Sequence, residues 1–290
     1  MILVVGATGR LGGTIAGRLL QQGEQVRALV RSESNHATLA ERGAHIVFGD
    51  LRDAASLEAA CRGCDRVITT ANSARRSGAD TVDTVDRDGT RGLIDAAAHA
   101  GVRQFMYTSV LGVDPASPVP FLAAKAQNEA HLRASGLSWT ILAPNAFMES
   151  WPLMVVGMPA TMGQPVTLVG SGHRRHTFVA EADVAAFAVA AITDARARDR
   201  HIPIGGPDAL SWRDVVAVYE RVLGRSLEVR FVAPGEAVPG IPPAVTPLLA
   251  AMETYDTVFD AAAAADEFGV MLTPLEALVR QSLAAGGSSH

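Results

Sequence analysis

The chain has 290 residues, a formal net charge of −5 at pH 7, and 48% hydrophobic against 19% charged residues. This length suits one large domain or one domain with a smaller lobe, and the composition predicts a globular protein with a sizeable core. The negative charge and the lack of a basic stripe with interleaved aromatic residues argue against nucleic acid as a partner. No apolar run approaches the ~18 residues of a membrane span, and we expect no signal peptide, so the predicted location is cytoplasmic, without membrane contact.

The first predicted elements are a strand, a glycine turn and a helix. The apolar run Ile2–Val5 ends at Gly6, and apolar residues at helical spacing then predict a helix near residues 11–22. This is the first half of a dinucleotide-binding βαβ unit, in which glycines permit the turn and the close approach of a pyrophosphate. The helix N-terminus offers free N–H groups and a partial positive charge to the phosphates. The residues predicted to contact the dinucleotide here are Gly6, Thr8, Gly9, Arg10, Leu11 and Gly12.

Strand-like apolar runs alternate with helical patterns up to residue 144. Further strands are predicted at residues 26–30, 45–48, 66–71, 105–109 and 139–143, and further helices near 54–61, 88–100 and 124–135. The alternation predicts an α/β fold, a Rossmann-type doubly wound parallel sheet covered by helices on both faces.

The pattern becomes less regular after residue 144. We predict a helix at 182–193, a strand at 201–204, a helix at 211–223, a proline-rich loop at 234–247 and helical segments beyond it. Residues 1–144 are therefore predicted to form the nucleotide-binding domain, to which 176–205 return. Residues 145–175 and 206–290 are predicted to form a smaller C-terminal substrate lobe that closes over the cofactor.

The residue at the end of the second strand indicates which cofactor is bound. An acidic residue there would bind the ribose 2′-hydroxyl of NAD, whereas an arginine accommodates the 2′-phosphate of NADP. The strand ends in Arg31, and Ser32 or Ser34 can add hydrogen bonds, although Glu33 carries the opposite charge. We therefore predict NADP(H) in preference to NAD(H).

Other strand ends supply further cofactor candidates, because ligands of such sheets bind at the carboxyl ends of the strands. These candidates are Asp50, Leu51, Ala71 and Asn72. Asp50 can accept a hydrogen bond from the adenine amino group, or alternatively cap the helix near Ala54.

One position in the chain is chemically distinct from all others. Of the 25 lysine and arginine residues, only Lys125 is a lysine. Lysine has a compact ammonium group that can lose its proton when desolvated, which arginine cannot do. Lys125 can hold the nicotinamide ribose and give a proton to a reduced substrate. The alternative is a surface ion pair with Glu129 one helical turn away.

Several segments together resemble a known family. They are VVGATGRLG at 4–12, VRALVR at 26–31, GDL at 49–51, FMYTSV at 105–110 and LSWTIL at 137–142. Over about residues 1–225 the chain resembles the NmrA-like group of atypical short-chain dehydrogenase/reductases, which also holds the isoflavone and pinoresinol–lariciresinol reductases. Ordinary members of the superfamily use a serine, a tyrosine and a lysine, the last two as YxxxK. Here Phe121 stands at the tyrosine position and Lys125 at the lysine position.

The resemblance implies roles for particular residues. Lys125 becomes the catalytic candidate, and Ser109, at the family's serine position, either contacts the substrate or nicotinamide or caps the following loop. Residues after the sixth strand match the loop that flanks the nicotinamide, which adds Pro144, Asn145 and Phe147 to the cofactor contacts. The same lysine also occurs in NADP-binding members that are regarded as redox sensors.

The substrate pocket is predicted from residues around this region, namely Phe121, Met148, Trp151, His173 and Tyr255. Methionine and aromatic residues beyond a strand are more often core of the lobe. The segment 170–176 is predicted to be a flexible basic loop, which is either solvated or meets an anionic substrate or the cofactor. Tyr255 is a candidate to replace the missing tyrosine hydroxyl.

The two cysteines, Cys61 and Cys64, form a CxxC pair. A redox dithiol is one interpretation. We favour a structural role, because the pair lies where a helix should end, with Gly63 as its left-handed cap. No second pair completes a zinc site, and the histidines near residue 173 lack accompanying carboxylates or cysteines, so no metal is predicted.

Three hypotheses for function follow. The first is an NADPH-dependent reductase that passes hydride to a small unsaturated, carbonyl, imine or quinone-like substrate, with Lys125 as proton donor or electrostatic stabiliser. The second is a non-enzymatic NADP(H)-responsive redox sensor that acts through a protein partner. The third is an isomerase or cyclase that retains the nucleotide for structure.

Overall fold

The computed structural model describes residues 1–74, 78–243 and 245–287. Strands in chain order are β1 Ile2–Val5, β2 Val26–Val30, β3 His45–Phe48, β4 Arg66–Thr69, β5 Gln104–Thr108, β6 Ser138–Pro144, β7 Val166–Val169, β8 Arg175–His176, β9 Arg200–Ile204, β10 Leu210–Ser211 and β11 Val229–Val232. Helices are α1 Arg10–Gln21, α2 Ala37–Glu41, α3 Ala54–Cys61, α4 Asp88–His99, α5 Pro120–Ala134, α6 Met158–Thr161, α7 Glu181–Thr193, α8 Trp212–Leu223, α9 Thr246–Met252, α10 Ala262–Phe268 and α11 Leu275–Gly287. Two π-helical turns cover Val82–Arg87 and Leu153–Gly157.

A seven-stranded sheet organises the first part of the chain. Its strand order is β3-β2-β1-β4-β5-β6-β9, and the pairs from β3 to β6 are parallel. The order reverses between β1 and β4, which is the point where ligands of such sheets bind. The predicted Rossmann-type doubly wound fold is confirmed. β1 and β5 in the middle of the sheet are wholly buried, as expected for a parallel sheet that helices cover on both faces.

The chain forms two compact units. The first unit comprises residues 1–143 and 184–203, and the second comprises residues 144–183 and 204–290. The domain prediction placed the first boundary at 144 and returned 176–205 to the nucleotide-binding domain.

The core of the first unit lies against the central strands. It includes Leu3, Val67 and Phe105 from β1, β4 and β5, with Leu57 and Leu93 from α3 and α4. Each of these side chains is at most 1% exposed. Burial of apolar surface of this extent is the main stabilising term of a domain.

The second unit has its own core and two small sheets. β11 pairs with β7 in parallel, and β10 pairs with β8 in antiparallel orientation. The core includes Val156, Phe178 and Trp212. α8 begins with a capping box in which the Ser211 hydroxyl accepts from the Asp214 N–H and the Asp214 carboxylate accepts from the Ser211 N–H.

Several local predictions differ from the structure. α5 begins at Pro120 rather than near residue 124, because proline is favoured at the first helical position, where its missing N–H is not needed. α9 begins at Thr246, within the predicted proline-rich loop, and Ala244 of that loop lies outside the described residues. The prediction of a flexible loop at 170–176 is wrong at its end, because Arg175 and His176 form β8. His176 is also buried, with 1% of its surface exposed.

Within the described residues, none of the helices is both long and apolar enough to cross a bilayer.

Candidate functional site

The turn after β1 has the geometry that a dinucleotide needs. Gly6 has φ +88°, a left-handed conformation that side chains disfavour, and its carbonyl accepts from the Gly9 N–H at 2.9 Å. A Cβ on Gly12 would lie 2.2 Å from the Gly6 carbonyl oxygen, so only glycine lets α1 pack this closely on β1. α1 begins at Arg10, and its first N–H groups have no intrahelical acceptors. The backbone therefore presents an anion-binding helix terminus directly after the strand.

A cleft at the carboxyl ends of β1, β2 and β4 brings six of the fifteen predicted cofactor contacts together, namely Gly6, Thr8, Arg31, Asp50, Leu51 and Ala71. It is lined by Val5, Gly6, Thr8, Leu29, Val30, Arg31, Ser34, Gly49, Asp50, Leu51 and Ala71. Asn72 follows this lining, and its side chain accepts from the Ala74 N–H at 3.0 Å. The glycine turn, the N-terminus of α1 and Arg31 all lie in the first unit. The residues present therefore fit a dinucleotide, with the cleft as the place for its adenosine half.

Arg31 at the edge of this cleft already faces two carboxylates. Its Nη1 lies 2.9 Å from Asp80 Oδ2, and its Nε lies 3.1 Å from Glu33 Oε1. Arg52 Nε lies 3.4 Å from the other oxygen of Asp80, whose side chain is only 7% exposed. Two guanidinium groups thus share one buried carboxylate, and an incoming 2′-phosphate would compete with Asp80 for them.

Asp50 is held by its neighbour rather than by a helix terminus. Both of its carboxylate oxygens accept from the Arg52 guanidinium, and Oδ1 also accepts from the Arg52 N–H. The hydrogen bonds from Arg52 hold the pKa of Asp50 below its usual range. The alternative that Asp50 caps α3 is wrong, because Asp53 is the cap and accepts from the Ala55 N–H. A contact from Asp50 to adenine stays a prediction.

Lys125 is buried at the carboxyl end of β5. It is 4% exposed, and its Nζ donates to the Thr108 carbonyl at 2.8 Å. The ammonium lies 4.7 Å from the ring centre of Tyr107 and 5.4 Å from that of Phe121. Burial lowers the pKa of Lys125 to about 8, and the negative charges of Asp86 and Glu129 oppose that shift.

This burial excludes the alternative of a surface pair between Lys125 and Glu129. Glu129 is 4% exposed and accepts from the Ser109 hydroxyl at 2.5 Å and from Arg133 at 2.9 Å. His201 Nε2 lies 3.6 Å from the same carboxylate. Burial alone would raise the pKa of Glu129, but the hydrogen bonds from His201 and Ser109 keep it below the usual value.

Ser109 and Phe121 frame the position of the lysine. Ser109 is 2% exposed, and its hydroxyl is directed to Glu129 rather than to the loop that follows β5. Phe121 carries no hydroxyl, so the ring at the YxxxK position packs on Lys125 and donates no proton. The hydroxyl of Tyr107 accepts from Asn128 Nδ2 at 3.3 Å, and burial raises the pKa of Tyr107 far above its usual value. Tyr107 is therefore a poor acid.

The predicted nicotinamide contacts after the sixth strand lie in the second unit. Pro144 ends β6, and Phe147 forms an isolated bridge with Val179. Asn145 Nδ2 donates to the Thr177 hydroxyl at 3.1 Å and to the Thr257 hydroxyl at 2.9 Å. The Asn145 side chain thus holds the chain near residue 257 within its own unit, and its cofactor contact stays a prediction.

The predicted substrate-pocket residues of the second unit are not grouped. Met148 is 1% exposed and belongs to the core of this unit, against which Trp151 packs. His173 lies on an exposed loop. Tyr255 is 45% exposed and its ring contacts that of His176, with centroids 6.1 Å apart.

Neither a redox dithiol nor a metal centre is supported by the described residues. Cys61 and Cys64 are both buried with free thiols, and burial raises the pKa of Cys61 to about 12. High thiol pKa values make thiolate chemistry unfavourable. Gly63 has φ +73°, the left-handed conformation predicted for it. In the described ranges, no group of three histidine, cysteine or acidic side chains could hold a metal ion.

Asp80, Asp86, Asn128 and Glu129 were not predicted as residues of the site, and the sequence pattern could have indicated only the last two. Asn128 and Glu129 lie three and four residues after Lys125, so helical spacing places them on its face. Asp80 and Asp86 lie 45 and 39 positions before Lys125 in the chain, and no local pattern places them beside Arg31 or the lysine.

Known proteins resemble this chain in sequence and in structure. The model of the NmrA-like family matches residues 1–283. An NAD(P)H azoreductase of Xenophilus azovorans is 34% identical over 235 residues, which cover 80% of this chain and 77% of that protein. Photosystem II assembly factor Ycf39 of Cyanophora paradoxa is 31% identical over 230 residues, covering 79% and 70%.

Among solved structures, the NADPH-dependent quinone oxidoreductase QOR2 of Escherichia coli is similar with a TM-score of 0.80 and 23% identity. The alignment covers 98% of this chain and 100% of that one. This likeness shows the shared fold, and the family match over nearly the whole chain shows its membership. The chain belongs to the NmrA-like family.

Proposed function

We propose that this chain is an NADPH-dependent reductase for a small unsaturated, carbonyl, imine or quinone-like substrate. The observation that carries the proposal is Lys125, which lies desolvated at the carboxyl end of β5. The glycine turn after β1 lies at the same edge of the same parallel sheet. A proton donor and a dinucleotide cradle at one sheet edge are the two parts that such a reduction requires.

NADP(H) is the cofactor that the cleft favours. The glycine turn and the first turn of α1 would hold the pyrophosphate, and Arg31 would hold the 2′-phosphate. The azoreductase relative is named for NAD(P)H, which agrees with a nicotinamide cofactor in this family member.

The residues of the chain supply the proton and its setting. When bound, the cofactor supplies a hydride and leaves oxidised. The Lys125 ammonium donates one proton to the substrate atom that takes up negative charge, and the amine regains a proton from water. A pKa of about 8 suits this task, because the group is mostly protonated at pH 7 but releases its proton more readily than an exposed lysine does. Phe121 and Tyr107 pack against the ammonium and limit its contact with water.

NADPH consumption with a panel of azo dyes, quinones, enones and imines tests the proposal. The rate with an accepted substrate should fall as pH rises through about 8, because the acid form of Lys125 is lost. Lys125→Met should reduce turnover by about 10²–10⁴-fold, the usual contribution of a general acid.

The matched control is Lys125→Arg, which retains the charge but cannot release a proton. If Lys125→Arg retains part of the activity and its rate no longer falls as pH rises through about 8, Lys125 acts by electrostatic stabilisation rather than by proton transfer. If Lys125→Met turns over every accepted substrate at the wild-type rate, the role of Lys125 is refuted.

A regulatory function is the second candidate, and the likeness to photosystem II assembly factor Ycf39 favours it. In that case NADPH would bind without turnover of any substrate in the panel. Hydrogen exchange should then differ between the NADP⁺-bound and NADPH-bound forms at a surface that recruits a protein partner. Equal exchange in both forms would argue against a redox sensor. The cytoplasmic location stays a prediction that cell fractionation tests.

A further inference from the structure

Two buried carboxylates act on Lys125, and their surroundings differ. Glu129 shares its charge with Arg133 and accepts from the Ser109 hydroxyl, while His201 faces it from β9. Asp86 is 1% exposed and lies in the π-helical turn Val82–Arg87, which packs on α5. Such π-helical turns occur often at functional sites, because the extra residue redirects side chains inward.

The hydrogen bonds of Asp86 leave one oxygen free. Oδ2 accepts from the Ser73 N–H at 3.1 Å and from the Ser73 hydroxyl. Oδ1 is buried and has no hydrogen-bond partner among the described residues. Within those residues no arginine or histidine pairs with Asp86. The carboxylate therefore fixes the loop after β4, which carries the predicted cofactor contacts Ala71 and Asn72, while keeping an unpaired oxygen in the interior.

The Lys125 ammonium, in turn, has no carboxylate at contact distance among the described residues. It donates to a carbonyl, that of Thr108, and otherwise faces the rings of Tyr107 and Phe121. A chain of contacts leads from this cation to Asp86. Tyr107 Oη accepts from Asn128 Nδ2, which also donates to the main-chain oxygen of Asp86.

A buried cation and a buried anion that each lack an ionic partner at contact distance among the described residues stabilise one another across a medium of low dielectric. The negative charges of Asp86 and Glu129 both favour the protonated form of Lys125, and the effect of Asp86 is the larger of the two. Glu129 is the weaker candidate, because Arg133 already compensates its charge.

We propose that Asp86 is the buried counter-ion that keeps Lys125 protonated and joins it to the cofactor-binding loop after β4. This inference rests on the proposed function of Lys125 as acid, and assigns Asp86 as a positioning residue that acts through the lysine. Within the described residues, the charged and titratable groups on the elements around the pair include Glu129 and Arg133 on α5, Tyr107 on β5, His201 on β9, and Asp83 and Arg87 in the turn that carries Asp86.

The single lysine makes a direct test possible. Protein made with [13Cε]lysine and a lysine-free tag gives one lysine signal, whose chemical shift against pH reports the pKa of Lys125 without turnover or cofactor. We expect a wild-type pKa of about 8. Asp86→Asn, which removes the charge and retains the shape, should lower that pKa by roughly one unit or more, a tenfold change in the proton equilibrium.

Asp86→Ser is a second neutral variant, smaller and polar, and it serves if the amide variant does not fold. Asp86→Glu should restore the pKa to within a few tenths of a unit. Glu129→Gln is the matched control and should lower the pKa by less than Asp86→Asn does. A decrease below one unit in the folded neutral variant, or a larger decrease in Glu129→Gln, overturns the proposal.

The kinetic readout separates this inference from the proposed function. In an active enzyme, Asp86→Asn should move the limb near pH 8 to lower pH, in step with the pKa that the NMR titration measures. If the wild type turns over no substrate yet the NMR shift is observed, the counter-ion is supported and the reductase is refuted.

Discussion

At the scale of single residues, we propose that selectivity between the two nicotinamide dinucleotides depends on Arg31. Its side chain is 31% exposed and lies between the buried Asp80 and the exposed Glu33. Without the guanidinium, both carboxylates would repel a 2′-phosphate. Arg31 therefore has two functions, as a donor to the phosphate and as a cover for negative charge.

Arg31→Ala should weaken NADPH binding far more than NADH binding. Charge-assisted hydrogen bonds contribute about 1.5–3 kcal/mol, which corresponds to roughly 10–100-fold in Kd. Titration calorimetry with both cofactors measures the effect. Arg103→Ala is the control, because Arg103 is 73% exposed and pairs with Asp65 at the opposite ends of the strands. An equal loss for NADPH and NADH would remove the argument for NADP(H).

The sequence could identify Lys125 as distinct but not its environment. A single lysine among many arginines is visible in the composition, and helical spacing places Asn128 and Glu129 beside it. Burial is a tertiary property, so the choice between a surface pair and a desolvated acid required the fold. Asp86 is buried in a π-helical turn that packs on α5, and sequence periodicity does not reveal such a turn.

At the scale of secondary structure, α1 depends on how closely it can approach β1. A Cβ at Gly12 would meet the backbone of Gly6 at 2.2 Å, and backbone cannot move aside as a flexible side chain can. The position of the helix N-terminus, and with it the phosphate site, is therefore coupled to the absence of one methyl group.

Gly12→Ala should lower the free energy of unfolding by about 1–3 kcal/mol, as overpacked sites do, and also weaken cofactor binding. Denaturant unfolding and cofactor titration measure the two effects. Gly92→Ala in α4 is the matched control, since a Cβ there meets Leu57 at an ordinary 3.6 Å. Alanine favours helix by up to about 1 kcal/mol, so the control should be neutral or stabilising. Equal behaviour of the two variants would contradict the steric argument.

The strands in the middle of the sheet could be predicted from sequence, and the small sheets of the second unit could not. β1, β2 and β5 are short, mostly apolar runs bounded by turns, the pattern of a buried parallel strand. β8 has two residues, and the outer residues of β11 are only half-buried while its middle is exposed. Pairing partners distant in the chain form such strands, so a local pattern does not reveal them.

At the scale of the whole molecule, burial of the Lys125 ammonium reduces stability. Its pKa falls from 10.5 in an unfolded chain to about 8 in the fold. The resulting penalty of roughly 3 kcal/mol is complete below pH 8, decreases as pH rises from 8 to 10.5, and vanishes above that.

Lys125→Met should therefore be more stable than the wild type at pH 7, by about 1–3 kcal/mol after loss of the hydrogen bond to Thr108. The advantage should shrink as pH rises from 8 to 10.5, because the wild-type lysine then folds without its charge. Urea unfolding at several pH values measures the difference. If Lys125→Met is less stable than the wild type at pH 7, or if its gain in the free energy of unfolding does not change with pH, burial of the ammonium does not destabilise the fold.

The same burial has a consequence for how the folded protein reacts with its surroundings. Every other side-chain cation is an arginine, and the lone lysine is 4% exposed. Reagents and enzymes that acylate, glycate or cross-link lysine therefore meet no side-chain amine on the folded surface. Acetylation of lysine therefore leaves the side-chain charges of the folded surface unchanged, and coupling through surface lysines does not immobilise the folded protein.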